Sequence, residues 1–146
     1  MIKISYPVYE FKIITEAGVR KIFDKFRKIW CVLTPEEWVR QHMLIYLNDV
    51  LKYPASLFSI EKEINLGELK KRCDIIVYNQ QTKPWMIIEC KERKVNLNGN
   101  VLDQVLRYHT ALPCKYIVIT NGDYTYGFEK ESGIFKEINA LPSFEV

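Results

Sequence analysis

Two histidines, six glycines and six prolines in 146 residues leave this chain poor in the residues from which several common sites are built. No G-x-x-x-x-G-K-[ST] stretch occurs, which excludes a phosphate loop and the nucleoside-triphosphate-driven motors built on one. The four cysteines, Cys31, Cys73, Cys90 and Cys114, form no C-x-x-C pair, and His42 and His109 do not stand at H-x3-5-H spacing, so a structural zinc lacks its ligands. The cysteines read instead as buried free thiols of a reducing compartment. No apolar run approaches the roughly 18 residues of a membrane span, and MIKISYPVYEFK lacks the apolar stretch of a signal peptide. The expected setting is therefore cytoplasmic, with no membrane partner. Lys plus Arg number 21 and Asp plus Glu 18, and the net charge of +3 is too small a surplus to name a partner.

What is present is an ordinary globular composition, 48% hydrophobic and 27% charged, in a chain of one domain's length. Residues 8 to 14 (VYEFKII) read as a strand, and residues 19 to 23 and 28 to 33 as a β-hairpin around Asp24-Lys25-Phe26-Arg27. Thr34-Pro35-Glu36-Glu37 announces a helix: Thr34 is the N-cap, Pro35 falls in the first turn, and Glu37 stands where a capping box places its acid. Val39, Met43, Tyr46, Leu47 and Val50 follow at helical spacing until Tyr53-Pro54.

Strands are expected next at 57–64, 74–78 and 85–91, the last two so uniformly apolar that both faces must be covered. A helix follows over 101–111, then a buried strand at 115–120, and the turns Asn121-Gly122 and Ser132-Gly133 set up a closing antiparallel meander. The fold class is α/β: a mixed central sheet flanked by helices, with an N-terminal β-hairpin and a C-terminal meander. We expect a single domain, with its core at about 34–122, N-terminal strands in 1–33 and closing hairpins in 123–146.

The chemistry-bearing residues gather at strand ends. Asp74 is read as opening one strand, and Glu89-Cys90-Lys91 closes the next, with Glu89 and Lys91 on one face because side chains alternate. A hairpin through Asn79 to Pro84 brings the Asp74 and Glu89 carboxylates together, and two such groups are naturally reconciled by a hard divalent cation. Mg2+, with Mn2+ as substitute, keeps most of its waters, so few protein ligands suffice. Lys91 beside it can orient or deprotonate a water or offset charge on a phosphorane-like transition state. On the next helix, Gln104 and Tyr108 share a face at i, i+4 spacing, a hydrogen-bonding pair that could hold a phosphate or the lysine. Read without context, each of these features also fits solvated strand ends and an ordinary helix.

Taken together, Asp74, Glu89-Cys90-Lys91, Gln104-x-x-x-Tyr108 and an upstream helix with Glu36 and Glu37 resemble the PD-(D/E)XK nuclease superfamily, in the branch with a Q-x-x-x-Y helix. The blocks at 33–41 (LTPEEWVRQ), 71–74 (KRCD), 88–91 (IECK) and 120–122 (TNG) resemble small relatives of the N-terminal nuclease domain of type I restriction enzyme R subunits. The resemblance runs from about residue 20 to 130, and one departure is Cys73 where the superfamily's name has Pro.

The resemblance implies a restriction-endonuclease-like core and Mg2+-dependent cleavage of phosphodiester bonds, most readily in DNA. It implies Asp74 and Glu89 as metal ligands, with the Cys90 backbone carbonyl as a third, Lys91 as the catalytic lysine, and Gln104 and Tyr108 as supports. An acidic residue of the first helix completes the metal site: Glu36, on the Val39, Met43 and Leu47 face, is preferred for it over Glu37, which suits the cap, with Glu61 or Glu63 of the following strand as more distant alternatives. Lys71, Arg72, Arg93, Lys94 and Arg107 flank these motifs and would bind phosphates. Double-strand cleavage by one such domain would call for a homodimer or a larger complex. The alternative is a catalytically silent nucleic-acid- or partner-binding module of a defence or repair complex.

Overall fold

The computed structural model describes residues 1–145, except for the side chains at positions 69 and 108–110. The N-terminal part builds a three-stranded antiparallel sheet from β1 (Ile13–Glu16), β2 (Val19–Asp24) and β3 (Ile29–Val32). This corrects both the strand expected over 8–14 and the simple hairpin. Residues 8–12 are not strand; Phe11 packs its ring on Trp38 and His42 of the first helix instead. The strand that does form starts later because Ala17 and Gly18 both take positive φ, 51° and 78°, the conformation a two-residue hairpin turn requires. The β2–β3 turn was legible: the Asp24 carboxylate accepts from the backbone N–H groups of Phe26 at 2.8 Å and Arg27 at 2.9 Å.

Helix α1 (Pro35–Ile45) begins as its sequence dictates, with Thr34 Oγ1 accepting from the Glu37 N–H at 3.0 Å. The other half of the capping box does not form. The Thr34 N–H donates to the Val32 carbonyl, and the Glu37 carboxylate turns inward to Arg40 and Gln41, because a buried guanidinium outcompetes a neutral amide. The helix runs on through a π-helical turn (Tyr46–Val50) to Leu51.

The main sheet has six strands in spatial order β4 (Phe58–Leu66), β5 (Leu69–Tyr78), β6 (Pro84–Cys90), β7 (Tyr116–Thr120), β8 (Thr125–Glu131) and β9 (Ile134–Ile138). All neighbours are antiparallel except β6 and β7, which run parallel across the connection made by α2 (Gly99–Ala111). One face buries Ile75, Val77, Met86, Ile88 and Val118 against α1; the other buries Ile76, Ile87, Ile117 and Ile119 with Val105 of α2. Cover on both faces explains the unbroken apolar runs of β5, β6 and β7.

β5 begins five residues earlier than its apolar run suggested, so Asp74 lies inside the strand rather than at its start. Lys70, Lys71 and Arg72 obscured this. They continue the ladder beyond the core as a two-stranded ribbon that turns at Gly67, where φ is +64°.

Candidate active site

The β5–β6 register pairs Ile75 with Ile88, and one step further sets Asp74 against Glu89. Both are 5% exposed. Asp74 Oδ2 accepts from the Cys90 N–H at 2.8 Å, which ties the carboxylate to the end of β6. Burial, then the charge of Asp74, pushes the Glu89 carboxyl up to about 8, against the attraction of Lys91 and Lys71. Lys91 follows β6 directly, with its Nζ 3.6 Å from Glu89 Oε1, while Glu89 Oε2 is buried with no hydrogen-bond partner among the described residues. Ionised carboxylates are acceptors only, so where these two face each other only a shared proton or a cation between them relieves their repulsion. Glu36 approaches from α1: its carboxyl is raised by partial burial and then by Asp74. The strand ends and the helix start thus bring Glu36, Asp74, Glu89 and Lys91 to one place.

Lys91 and the loop after it are anchored by the Thr120-Asn121-Gly122 block. The Lys91 N–H donates to the Thr120 carbonyl at 2.8 Å, and Asn121 Nδ2 donates to the Val95 carbonyl at 3.0 Å. Asn121 Oδ1 meanwhile accepts from the N–H groups of Asp123 and Tyr124, closing its own turn. The motif is therefore a clamp between the end of β7 and the lysine-bearing end of β6.

One participant was missed in the sequence. Arg40, 7% exposed, lies among the acids: Nη2 donates to Asp74 Oδ1 at 2.7 Å and to Glu36 Oε1 at 3.4 Å, and Nη1 to Glu37 Oε1 at 2.6 Å and Glu61 Oε1 at 2.8 Å. Burial works against its charge, but Asp74, Glu37 and Glu61 outweigh it and hold the guanidinium protonated. Glu61 adopts φ +57° in the middle of β4, where the ladder passes from Ile60–Ile75 to Lys62–Cys73 without pairing Glu61 to Asp74. A left-handed glutamate costs about 1–3 kcal/mol, and here it keeps its carboxylate on Arg40 and Arg27. Arg27 in turn grips the fully buried Asp24 at 2.8 Å, which joins the small N-terminal sheet to the site through alternating charges. The signal for Arg40 was its position four residues beyond Glu36 and three beyond Glu37 on α1.

The other expected residues are more dispersed. Gln104 is exposed on α2, and among the described residues no hydrogen bond joins it to Asp74, Glu89 or Lys91. The Tyr108 side chain lies outside the described residues. Arg72, Arg93, Lys94 and Arg107 are exposed, Arg72 lying 3.6 Å from Glu61 Oε2 and Arg93 3.1 Å from Asp123 Oδ2. Lys71 is half-buried and near enough to Glu89 to favour its charged form. Cys73, Cys90 and Cys114 are buried free thiols, whereas Cys31 is only half-buried and accepts from Arg27 Nη2 at 3.3 Å. Burial pushes the Cys73 thiol up to about 12, so it is not a nucleophile.

Among the described residues, no three His, Cys, Asp or Glu side chains converge closely enough to hold a metal ion unaided. The donor set nevertheless suits a hard divalent cation that keeps its waters. It is all oxygen, its carboxylates repel one another, and Glu89 Oε2 lacks a partner among the described residues. The same repulsion predicts a pH signature. A carboxyl raised in the folded state to about 8 from 4.5 holds its proton in the folded chain over that interval while the unfolded chain has lost it. In chelator, thermal stability is therefore expected to fall as pH rises from about 4.5 to about 8, and Glu89→Gln to flatten that slope. Parallel wild-type and Glu89→Gln melting curves across the interval would contradict this.

The fold and this acid–lysine cluster define a mixed α/β protein that carries buried carboxylates and a lysine at the end of a parallel strand pair. No helix among the described residues is long and apolar enough to cross a membrane. The chain belongs to the family described as Type I restriction enzyme R protein N terminus, whose profile matches residues 35–142. A search of curated proteins gave no match. The family is consistent with a nuclease type of function, and its match spans α1, the strands that carry Asp74 and Glu89, α2 and the closing meander.

Proposed function

We propose that the protein is a Mg2+-dependent nuclease that hydrolyses phosphodiester bonds, in DNA before RNA. The observation that carries this is the Asp74–Glu89 pair, with a Glu89 Oε2 unpartnered among the described residues and the Lys91 ammonium beside it. Asp74 and Glu89 would hold the cation, with Glu36 and the Cys90 carbonyl completing its protein ligands. When bound, the cation supplies Lewis-acid stabilisation of negative charge on the phosphate. Lys91 orients the attacking water, or takes its proton, and offsets the charge that develops on phosphorus-bound oxygens. Arg40 holds Asp74 and Glu36 in place, and Lys71, Arg72, Arg93, Lys94 and Arg107 attract the phosphate backbone without reading bases.

A second reading has its own support. Arg40 already neutralises Asp74 and Glu36, as it would in a silent binding module.

Incubating the protein with supercoiled plasmid and with labelled single- and double-stranded oligonucleotides, in Mg2+, Mn2+ or chelator, separates the two. The nuclease reading expects products that require the metal. Binding without cleavage in either metal would favour the module.

A further inference from the structure

The loop beyond Lys91 borders a surface of which the proposed function uses only Arg93 and Lys94. Between this loop and the start of α1 lies a groove of about 520 Å³, with Pro35 and Trp38 on one wall and Arg93 and Lys94 on the other, and with Ile13 and Arg20 of the N-terminal sheet closing it. Both walls are extensions of the candidate site in sequence. Trp38 lies two residues beyond Glu36, and Arg93 two beyond Lys91. Two smaller hollows, of about 230 and 340 Å³, meet the groove at Arg93 and continue it past Gly122 to Tyr124. The surface is apolar and aromatic where it is open: Trp38 is 39% and Tyr124 52% exposed. Three cations, Arg20, Arg93 and Lys94, face two acids, Glu92 and Asp123, and Asp123 is already paired with Arg93.

A part-exposed tryptophan and tyrosine in one run of hollows with cations suit one ligand chemistry in particular. Unpaired bases stack on aromatic side chains while their phosphates meet lysine and arginine. A duplex keeps its base faces covered and has nothing to offer Trp38, whereas an acidic peptide would leave the rings unused. We propose that the groove binds an unpaired DNA strand, with a base against Trp38 and phosphates on Arg20, Arg93 and Lys94, and delivers it to the Glu89–Lys91 end of β6. Its catalytic meaning rests on the nuclease reading; the binding itself does not.

Fluorescence anisotropy in chelator, with labelled oligothymidine, a blunt duplex of equal length and polyglutamate as competitor, tests it. The expected result is preference for the single strand over the duplex. Trp38→Ala should weaken single-strand binding by about tenfold or more, the scale of one lost base–aromatic stack, with little effect on the duplex. Trp38→Phe should keep most of the affinity, which guards against a folding defect in the alanine variant. Arg93→Glu with Lys94→Glu should weaken binding further and reduce its salt dependence. Equal affinity for strand and duplex, indifference to Trp38→Ala in a folded variant, or displacement by polyglutamate at matched charge would overturn the proposal. Trp38-dependent strand binding without cleavage in Mg2+ would instead overturn the nuclease reading and leave the groove standing.

Discussion

Lys91→Ala is expected to slow metal-dependent phosphodiester cleavage by about 10²–10³-fold, the loss typical of removing one positioned electrostatic group from a reacting centre. The Lys91 side chain is three-quarters buried with its Nζ 3.6 Å from Glu89 Oε1, and its backbone N–H is fixed to the Thr120 carbonyl. Binding should change far less, because phosphate contacts are spread over several exposed basic residues. The variant also leaves Glu89 beside Asp74 with less compensation. Glu89 then holds its proton more firmly, and folding near neutral pH is largely preserved. Single-turnover cleavage of a labelled oligonucleotide, with anisotropy as the binding control, checks both statements. Undiminished cleavage by Lys91→Ala would remove the lysine from the chemistry.

Replacing Arg40 acts on stability first. Its guanidinium bridges Asp74, Glu36, Glu37 and Glu61, two of which are almost fully buried, and Arg40→Ala leaves those acids facing one another. Breaking a buried charge network by removing one partner costs about 3–5 kcal/mol. For a chain of this size that is a fall in melting temperature of roughly 10 °C or more. Arg40→Lys should recover only part of it, since an ammonium cannot present two forks to carboxylates on both sides. Thermal denaturation of both variants decides the matter, and a loss below about 1 kcal/mol for Arg40→Ala would mean that the acids are protonated rather than neutralised by the arginine.

The two cases differ in how far the sequence foretold them. Glu89 and Lys91 could be read because a strand alternates strictly, so two charged residues at i and i+2 after an apolar run must share a face. The Asp74–Glu89 pairing was readable from the short connection at Asn79 to Pro84, although the strand itself starts earlier than its apolar run. The Thr34 cap, the Asp24 turn and the buried strands were legible for the same reason: each is a local pattern with a local cause. Of Arg40 only the local half was visible, its spacing to Glu36 and Glu37; its other partners, Glu61 and Asp74, are 21 and 34 residues away. Glu61 gave no sign of its left-handed backbone, a conformation no glutamate chooses unless its surroundings demand it. The strand expected at residues 8–14 failed because Phe11 finds aromatic partners on α1, Trp38 and His42, and such contacts override strand propensity.

By itself the sequence determined the period and most of the turns: which stretches alternate, which repeat at helical spacing, and where turn residues interrupt them. From those follow the α/β class, the covered sheet and the location of the carboxylates at one end of it. Only the tertiary structure decided what neutralises those carboxylates and what surrounds them: Arg40 inserted from α1, Glu61 bent toward it, Arg27 and Asp24 fastening the N-terminal sheet behind, and Trp38 left open beside Arg93. The reason is physical. Backbone geometry repeats over a few residues and is visible in a short window, whereas charge compensation depends on distance through space, and that distance exists only once the helix has been laid across the sheet.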